Sequence, residues 1–485
     1  MQISHWKEGL APPSFPQLES RVRTRVAVVG GGMAGVLSAY LLRKQGIDCV
    51  LLEAESIGCG ETGNTTAKLT AQHRLIYDDL TCSRGAGAAS LYADANTAAL
   101  REYEKIIEKE AVDCDYRCAP AYVYARDDAH FSQLQKEYLA AQRAGLPAFL
   151  TDKTELPFPV RGALGFEKQA RFHPLKFLYA LAQKLPVYEN ARVLTLEGNT
   201  LKTEHGAVEA DCILLCTHYP IRNFPGLFFL RMYQERSYVV GLTDVPALDG
   251  MYIDADPSGH SFRTAGDLLL VGGEGHKSGR HPGACYERLA SYARSLYPQS
   301  GIRSRWSAQD CATLDGLPYI GRLSAKTPHV LIATGFDKWG MSHAMVAALL
   351  LRDLVLDRDN PWESLYSPQR SLRPKPQRLF SLLKDVGAAF TVDKLKRPAV
   401  EASNLRNGQG GYVIHEGKRM GGYRDARGKL WLVDTTCPHL KCQLSWNQDE
   451  LSWDCPCHGS RFDYTGKLLD NPAQTPLERK CPHHE

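Results

Sequence analysis

Between Cys437 and Ser460 the chain reads CPHLKCQLSWNQDELSWDCPCHGS, which places four cysteines and two histidines in one short segment. Cys437-Pro-His439, then fifteen residues, then Cys455-Pro-Cys457-His458 fits the spacing C-x-H…C-x-x-H. Two thiolates and two imidazoles suit either of two centres. One is a tetrahedral zinc; the other is a two-iron two-sulfur cluster with cysteines on one iron and histidines on the other. On both readings Cys437, His439, Cys455 and His458 are the ligands. A zinc site has no use for the additional Cys442 and Cys457.

A second stretch with chemistry lies near the start, where Gly30-Gly31-Gly32-Met33-Ala34-Gly35 satisfies G-x-G-x-x-G between an apolar strand-like run and a helical one. Gly30 and Gly32 let the backbone turn and approach a pyrophosphate. Gly35 lets helix and strand pack closely, and the helix N-terminus offers positive potential to phosphates. Glu53 ends the next strand, 23 residues after Gly30, where a carboxylate takes ribose hydroxyls. The run GCGETGNTTAKLT that follows supplies Gly60, Thr65 and Thr66, with backbone amides and hydroxyls for a ligand longer than one nucleotide, which favours FAD over NAD.

These two sites need different scaffolds, and the rest of the chain divides accordingly. The 485 residues, 44% hydrophobic and 23% charged, suffice for more than one core. Residues 1–24 read as a polar leader. Residues 25–366 alternate strand-like and helical segments, the pattern of an α/β FAD-binding domain, Rossmann-like, with a mixed-sheet substrate region. Residues 367–402 read as a Pro/Arg-rich linker and one docking helix, with Phe380, Leu383, Val386 and Phe390 at helical spacing as its packing face. Residues 403–485 carry short strands and glycine-rich turns, a small all-β domain. Nine of the fourteen cysteines are scattered over the first 311 residues without framework spacing, so they read as ordinary thiols. A net charge of +4 with no basic stripe argues against a nucleic-acid partner. No apolar run reaches the length of a membrane span, and no signal-type h-region opens the chain, so the expected compartment is the cytoplasm. Cys481-Pro-His483-His484 imitates half of a ligand box without a second half and reads as a tail.

Through the glycine fingerprint, ILLCTH, TLDGLPYIG and ATGFDKWGMSHA, the region from about 25 to 357 resembles the D-amino-acid oxidase superfamily of FAD-dependent oxidoreductases. The resemblance implies oxidation of an amine or amino acid by hydride transfer to FAD. It also implies that Gly335, Trp339, Gly340 and Met341 lie at a helix N-terminus facing the flavin's pyrimidine end. A substrate carboxylate would call for an arginine fork; Arg263 and Arg236 are the candidates, with Tyr238 as a polar neighbour and His343 as a possible proton shuttle or packed histidine. Cys311 stands only two residues before Thr313, closer than the covalent flavin attachment of some relatives, so the expectation is noncovalent FAD.

The tail boxes C-x-H-x-x-C and C-P-C-H-G-S are similar to those of respiratory Rieske proteins. That likeness implies a 2Fe–2S cluster on Cys437, His439, Cys455 and His458, with a Cys442–Cys457 disulfide clipping the two loops. It also implies a tuning hydroxyl from Ser460, while Phe462 stands where many such proteins have a tyrosine, so a lower potential is expected. The whole chain resembles bacterial fusions of an FAD-dependent oxidoreductase with a Rieske domain. The implied function is substrate oxidation at FAD, with electrons passed singly through the cluster to an external acceptor, a protein among the possibilities. The alternatives are an electron relay between partners, or a flavin oxidase gated by a redox-sensing cluster. No second nucleotide fingerprint follows a later strand, which favours direct oxidation of a small-molecule substrate.

Overall fold

A computed structural model describes residues 3–384 and 399–480. Strand Arg21–Val29 alternates exposed and buried positions at its start and is buried from Val26 onward. That change marks its entry into the centre of a parallel sheet, where both faces are covered. It lies between Ala207–Leu215 and Cys49–Leu52, parallel to both. Val187–Tyr188 extends one side of this sheet, and Thr327–Thr334 and Tyr319–Ser324 extend the other. Helix Met33–Lys44 starts directly after the glycine turn, and its buried face, including Val36, Leu37 and Tyr40, shares a core with Met345 and Leu349 of helix Gly340–Val355. Both helices are nearly all apolar, as helices sandwiched within a large domain must be.

The second layer is a nine-stranded mixed sheet ordered Gly301–Thr313, Met232–Thr243, Leu268–Lys277, Ser261–Ala265, Met251–Asp254, Arg117–Ala125, Gly162–Arg171, Lys68–Leu69, with Ala148–Thr151 also paired to Gly162–Arg171. It is antiparallel except where Met251–Asp254 runs alongside Arg117–Ala125. The C-terminal region forms two small sheets, a five-stranded one from Val400–Glu401 to Arg479–Lys480, antiparallel except for the parallel pairing of Val400–Glu401 with Gly410–His415, and an antiparallel four-stranded one from Ser445–Asn447 to Leu468–Asp470. The ligand-type boxes lie on loops, at residues 434–444 and 455–460. The α/β plus all-β architecture agrees with the sequence expectation.

Three expectations about connecting segments need correction. The N-terminal stretch is no loose leader: Trp6 is buried, its indole N–H donating to Thr65 O at 2.6 Å, and Lys7 donates to Cys59 O and Asn64. The Pro/Arg-rich stretch is pinned, with Arg370 forking onto Asp315 at 2.8 and 2.9 Å and Arg378 reaching Asp337. Residues 376–384 are helical, but Leu379 and Leu382 face inward, onto Tyr233, Ala312 and Leu314. Phe380 and Leu383, expected inside, are 72% and 62% exposed. Val386, Phe390 and the Cys481–His484 tail lie outside the described residues.

Candidate functional site

The turn after the first strand is shaped for close approach. Gly30 has φ +111°, and a Cβ there would stand 2.4 Å from Cys216 O; a Cβ on Gly35 would stand 1.9 Å from Gly30 O. No side chain of Gly32 caps the helix, so the amides of its first turn face the cleft, apart from Met33 N–H, which donates to Thr62 Oγ1 at 3.0 Å. Glu53 accepts from Gly31 N–H at 2.6 Å and from Glu55 N–H at 2.9 Å. Burial raises its carboxyl pKa above the usual range. Gly30, Gly32, Glu53, Gly60, Thr65, Thr66, Trp339, Gly340 and Met341 all line one cleft of about 1290 Å³. Gly335, at φ +76° with its Cα against Thr313, shapes the turn into helix Gly340–Val355 and is not part of the cleft wall. The cleft has the glycine cradle and the length that a dinucleotide requires.

The structure separates the catalytic candidates. Arg263 does not line the cleft; its guanidinium donates to Thr264 O, Thr66 O and Ala67 O, and it stacks over Trp6. It holds the Thr65–Ala67 turn in shape. Arg236, also fully buried, bonds Ser307 and pairs with Glu450 and Asp470 of the C-terminal domain. Tyr238 reaches the cleft, with its hydroxyl 3.1 Å from His276 Nε2. His343 sits one layer behind the wall, Nε2 2.9 Å from Tyr92 Oη and Nδ1 3.1 Å from Phe336 O.

Sequence reasoning missed Lys68, His73 and Arg74. His73 stacks on Trp339 at 4.5 Å and lies 2.5 Å from Tyr92 Oη, which links it to His343. Lys68 and Arg74 are cations lining the cleft, and among the described residues neither has a carboxylate in ion-pair contact: Lys68 Nζ donates to Tyr252 O at 3.2 Å and Arg74 to Asp256 O at 3.1 Å. Burial, reinforced by Arg263 and Arg74, brings Lys68 down to about 7. Arg74 is held at φ +56°, a left-handed conformation that an arginine adopts only when its surroundings impose it. The signal for them in the sequence was faint: Lys68 lies within the glycine-threonine run after the fingerprint, and His73 and Arg74 follow directly on it.

In the C-terminal boxes Cys437 and Cys455 face each other as a hydrogen-bonded thiol pair. That contact lowers Cys437 to about 7 and raises Cys455. Burial drops His439 to about 4 and His458 to about 3, so both imidazoles are neutral, as ligands must be. Their rings stand 5.1 Å apart, and the buried Nδ1 of each has no hydrogen-bond partner. Two thiols in contact and two facing imidazoles, each with an unpartnered buried Nδ1, are the donor set of a two-iron cluster. Cys442 and Cys457 form a disulfide, so their sulfurs are not available as ligands. Ser460 touches the Cys437 sulfur and accepts from Ala473 N–H at 3.0 Å.

The two sites are joined. Asn223 Nδ2 lies 2.8 Å from His439 Nε2, and Phe229 meets the His458 ring edge-on at 6.0 Å. Gln234 donates to His458 O at 2.7 Å; Gln309 donates to Gly459 O at 2.8 Å and accepts from Ser278 Oγ. Gln309 N–H in turn donates to Glu61 in the cleft wall. Leu468, Asp470, Asn471 and Gln474 of the C-terminal domain complete that wall.

The FAD dependent oxidoreductase family matches residues 25–354, and the Rieske [2Fe-2S] domain family matches residues 396–483. The putative Rieske 2Fe-2S iron-sulfur protein YhfW of Bacillus subtilis is 36% identical, covering 98% of this chain and 97% of its own. Gamma-glutamylputrescine oxidoreductase of Escherichia coli is 24% identical over 70% of this chain and 85% of its own. Among solved structures, glycine oxidase from Geobacillus kaustophilus superposes with a TM-score of 0.61 at 19% identity, over 73% of this chain and all of that one. The first domain therefore implies FAD and the second a 2Fe–2S cluster. The chain belongs to the FAD-dependent oxidoreductases of the D-amino-acid oxidase type, extended by a C-terminal Rieske domain.

Proposed function

We propose that the chain oxidises a carboxylate-bearing amine, an amino acid or close analogue, and that the electrons leave singly through the Rieske domain to an external acceptor. One observation carries the reading: a single cleft has in its walls the glycine cradle, two half-buried cations with no carboxylate in ion-pair contact among the described residues, and part of the Rieske domain. Burying an unpaired cation is expensive unless a ligand supplies the counter-charge. Arg74 and Lys68 supply the two charges a carboxylate needs, Arg74 through its planar fork and Lys68 as a point charge. Trp339 stacked on His73 gives a flat apolar wall beside them. Bound FAD accepts hydride and the cluster moves single electrons. Cys437, His439, Cys455 and His458 are the proposed cluster ligands; Gly30, Gly32, Glu53, Thr65 and Thr66 line the nucleotide's place, and Gly35 lets the helix close onto the strand behind it.

The acceptor would meet the surface beside His439. Asn223 and Phe229 cover the histidine edge, and exposed Phe224, Leu230 and Leu440 surround it, the apolar character of a transient docking rim.

The test is anaerobic reduction by amino acids, N-methylated amino acids and matched amines lacking the carboxylate, following flavin absorbance and the cluster's electron paramagnetic resonance. Amino acids should bleach the flavin and then reduce the cluster. Equal reduction by the decarboxylated amines would refute the carboxylate assignment, and bleaching with a cluster that stays oxidised would refute the electron route in favour of the sensor reading.

A further inference from the structure

Away from the cradle and the cluster boxes, three metal-ligating side chains converge on one strand-loop-helix connection. His276 lies at the end of strand Leu268–Lys277, Cys285 opens helix Cys285–Leu296, and His281 is on the loop between them. One ligand atom from each lies within 4.8 Å of the other two. We propose that His276, His281 and Cys285 bind one zinc-class divalent ion at the joint between the flavin and Rieske domains.

The bonding of each ring fits that role. His276 Nδ1 lies 2.8 Å from Lys277 O, so Nδ1 carries the proton and donates it to the carbonyl. This leaves Nε2 as the acceptor of the Tyr238 hydroxyl at 3.1 Å, a bond that a metal on Nε2 would replace. His281 turns Nδ1 to the Cys285 sulfur at 3.7 Å. Two ligands on one tetrahedral zinc, with bonds of about 2.05 Å to nitrogen and 2.3 Å to sulfur, stand roughly 3.6 Å apart. His281 Nε2 has no hydrogen-bond partner and lies 3.3 Å from Asp449 Oδ2, near enough for this carboxylate to take its N–H once the other nitrogen holds a metal. The side chains of His281 and Asp449 are 6% and 9% exposed, and burial keeps both imidazoles neutral. Arg288 donates to the Cys285 sulfur at 3.3 Å, while burial pushes the thiol up to about 11, so a metal ion binding here displaces its proton. Two nitrogens and one sulfur leave a fourth place for water or the Tyr238 hydroxyl, and this borderline-soft donor set selects zinc over calcium or magnesium.

The location gives the ion a structural role. Asp449 belongs to the Rieske domain and also accepts from Cys285 N–H at 2.7 Å. Gly279, on the His281 loop at φ +73°, lies against Pro456 of the second cluster box, where a Cβ would come within 2.4 Å of Pro456 N. An ion here fixes the loop on which the cluster box rests. Neither the substrate nor the direction of electron flow enters the argument.

The experiment uses the holoprotein with FAD and cluster in place, so that the cluster ligands are occupied. After chelator treatment, zinc is titrated calorimetrically and the zinc K-edge spectrum recorded. The expected result is one zinc per chain with one sulfur and two imidazole nitrogens. Binding should be lost in Cys285→Ser and weakened about 10–100-fold in Asp449→Asn, with iron and flavin contents unchanged. Absence of stoichiometric zinc, or the same uptake in Cys285→Ser, overturns the proposal. If Cys285→Ser loses iron or flavin, the wild-type edge decides alone, since a shell without sulfur overturns the site.

Discussion

Lys68→Met separates substrate recognition from everything else the cleft does. Lys68 has fallen from 10.5 to about 7, with burial as the main cause. The drop corresponds to roughly 5 kcal/mol against the charged form. A carboxylate about 4 Å away returns about 4 kcal/mol at an effective dielectric of 20, so ligand binding pulls a proton back onto the amine. The sign follows. Below pH 7 the amine is already charged and the affinity is flat. Above pH 7 each unit makes the protonated form tenfold rarer, so the apparent Kd of a carboxylate ligand rises with pH until it reaches that of the variant, which lacks the charge. The assay is the perturbation of flavin absorbance by an unreactive pair, benzoate and benzamide, from pH 5.5 to 9.5. At pH 6 the variant should bind benzoate about 10–150-fold more weakly, the worth of one charge-assisted hydrogen bond of about 1.5–3 kcal/mol, and bind benzamide unchanged. Glu61 and Asp310, both pushed up to about 7 by burial, titrate in the same window. They do so in both proteins, so the difference between wild type and variant isolates Lys68. Equal benzoate affinity and equal pH dependence in the two would refute the reasoning.

Without ligand, the same variant should be more stable than wild type below pH 7, where the buried charge is fully present, with the advantage shrinking from pH 7 to 10.5; thermal melts across pH measure it. Gly30→Ala puts a Cβ at 2.4 Å from Cys216 O at φ +111°, and should yield protein without flavin but with its cluster intact, read as flavin-to-iron ratio. Phe462 is fully buried in the same cluster of side chains as Cys437 and Cys455. Phe462→Tyr, adding a hydrogen bond toward cluster sulfur of about 1 kcal/mol in redox preference, should raise the potential by roughly 40 mV in a redox titration. Gln309→Ala strips buried Gly459 O, the Gln234 amide oxygen and the Ser278 hydroxyl of a partner, a loss of about 2–4 kcal/mol that should appear as faster hydrogen exchange in residues 455–460.

The two cofactor sites were legible because each is local. A glycine turn between strand and helix, and two boxes separated by fifteen residues, declare their chemistry before the chain folds. The substrate residues are not local. Whether Arg263 faces the cleft depends on which side of strand Ser261–Ala265 meets the neighbouring layer, and a period of two does not say which side that is. The helix at 376–384 failed for a related reason. Leu379 and Leu382 make as good a helical stripe as Phe380 and Leu383, and only the presence of Tyr233 and Leu314 beneath selects between them.

The joint was invisible for a deeper reason, and it says most about how the molecule works. Asn223, Phe229, Gln234 and Gln309 belong to no motif; they matter because they close around a domain that begins some ninety residues after Gln309. Gln234 and Gln309 bond to main-chain oxygens of His458 and Gly459, so they recognise the shape of the cluster loop, and no side-chain pattern on the Rieske side had to announce them. In consequence the cluster's histidine edge does not stand free: His458 is 3% exposed and His439 is bonded to the flavin domain. That histidine edge is packed against this chain's own flavin domain, and on the proposed electron route an outside acceptor would approach over residues 224–230 or displace them. Shortening that loop should therefore alter reduction of an external acceptor while leaving flavin bleaching by substrate unchanged, a separation that stopped-flow absorbance resolves directly. If both rates change together, the loop supports the flavin site, and the acceptor route lies elsewhere.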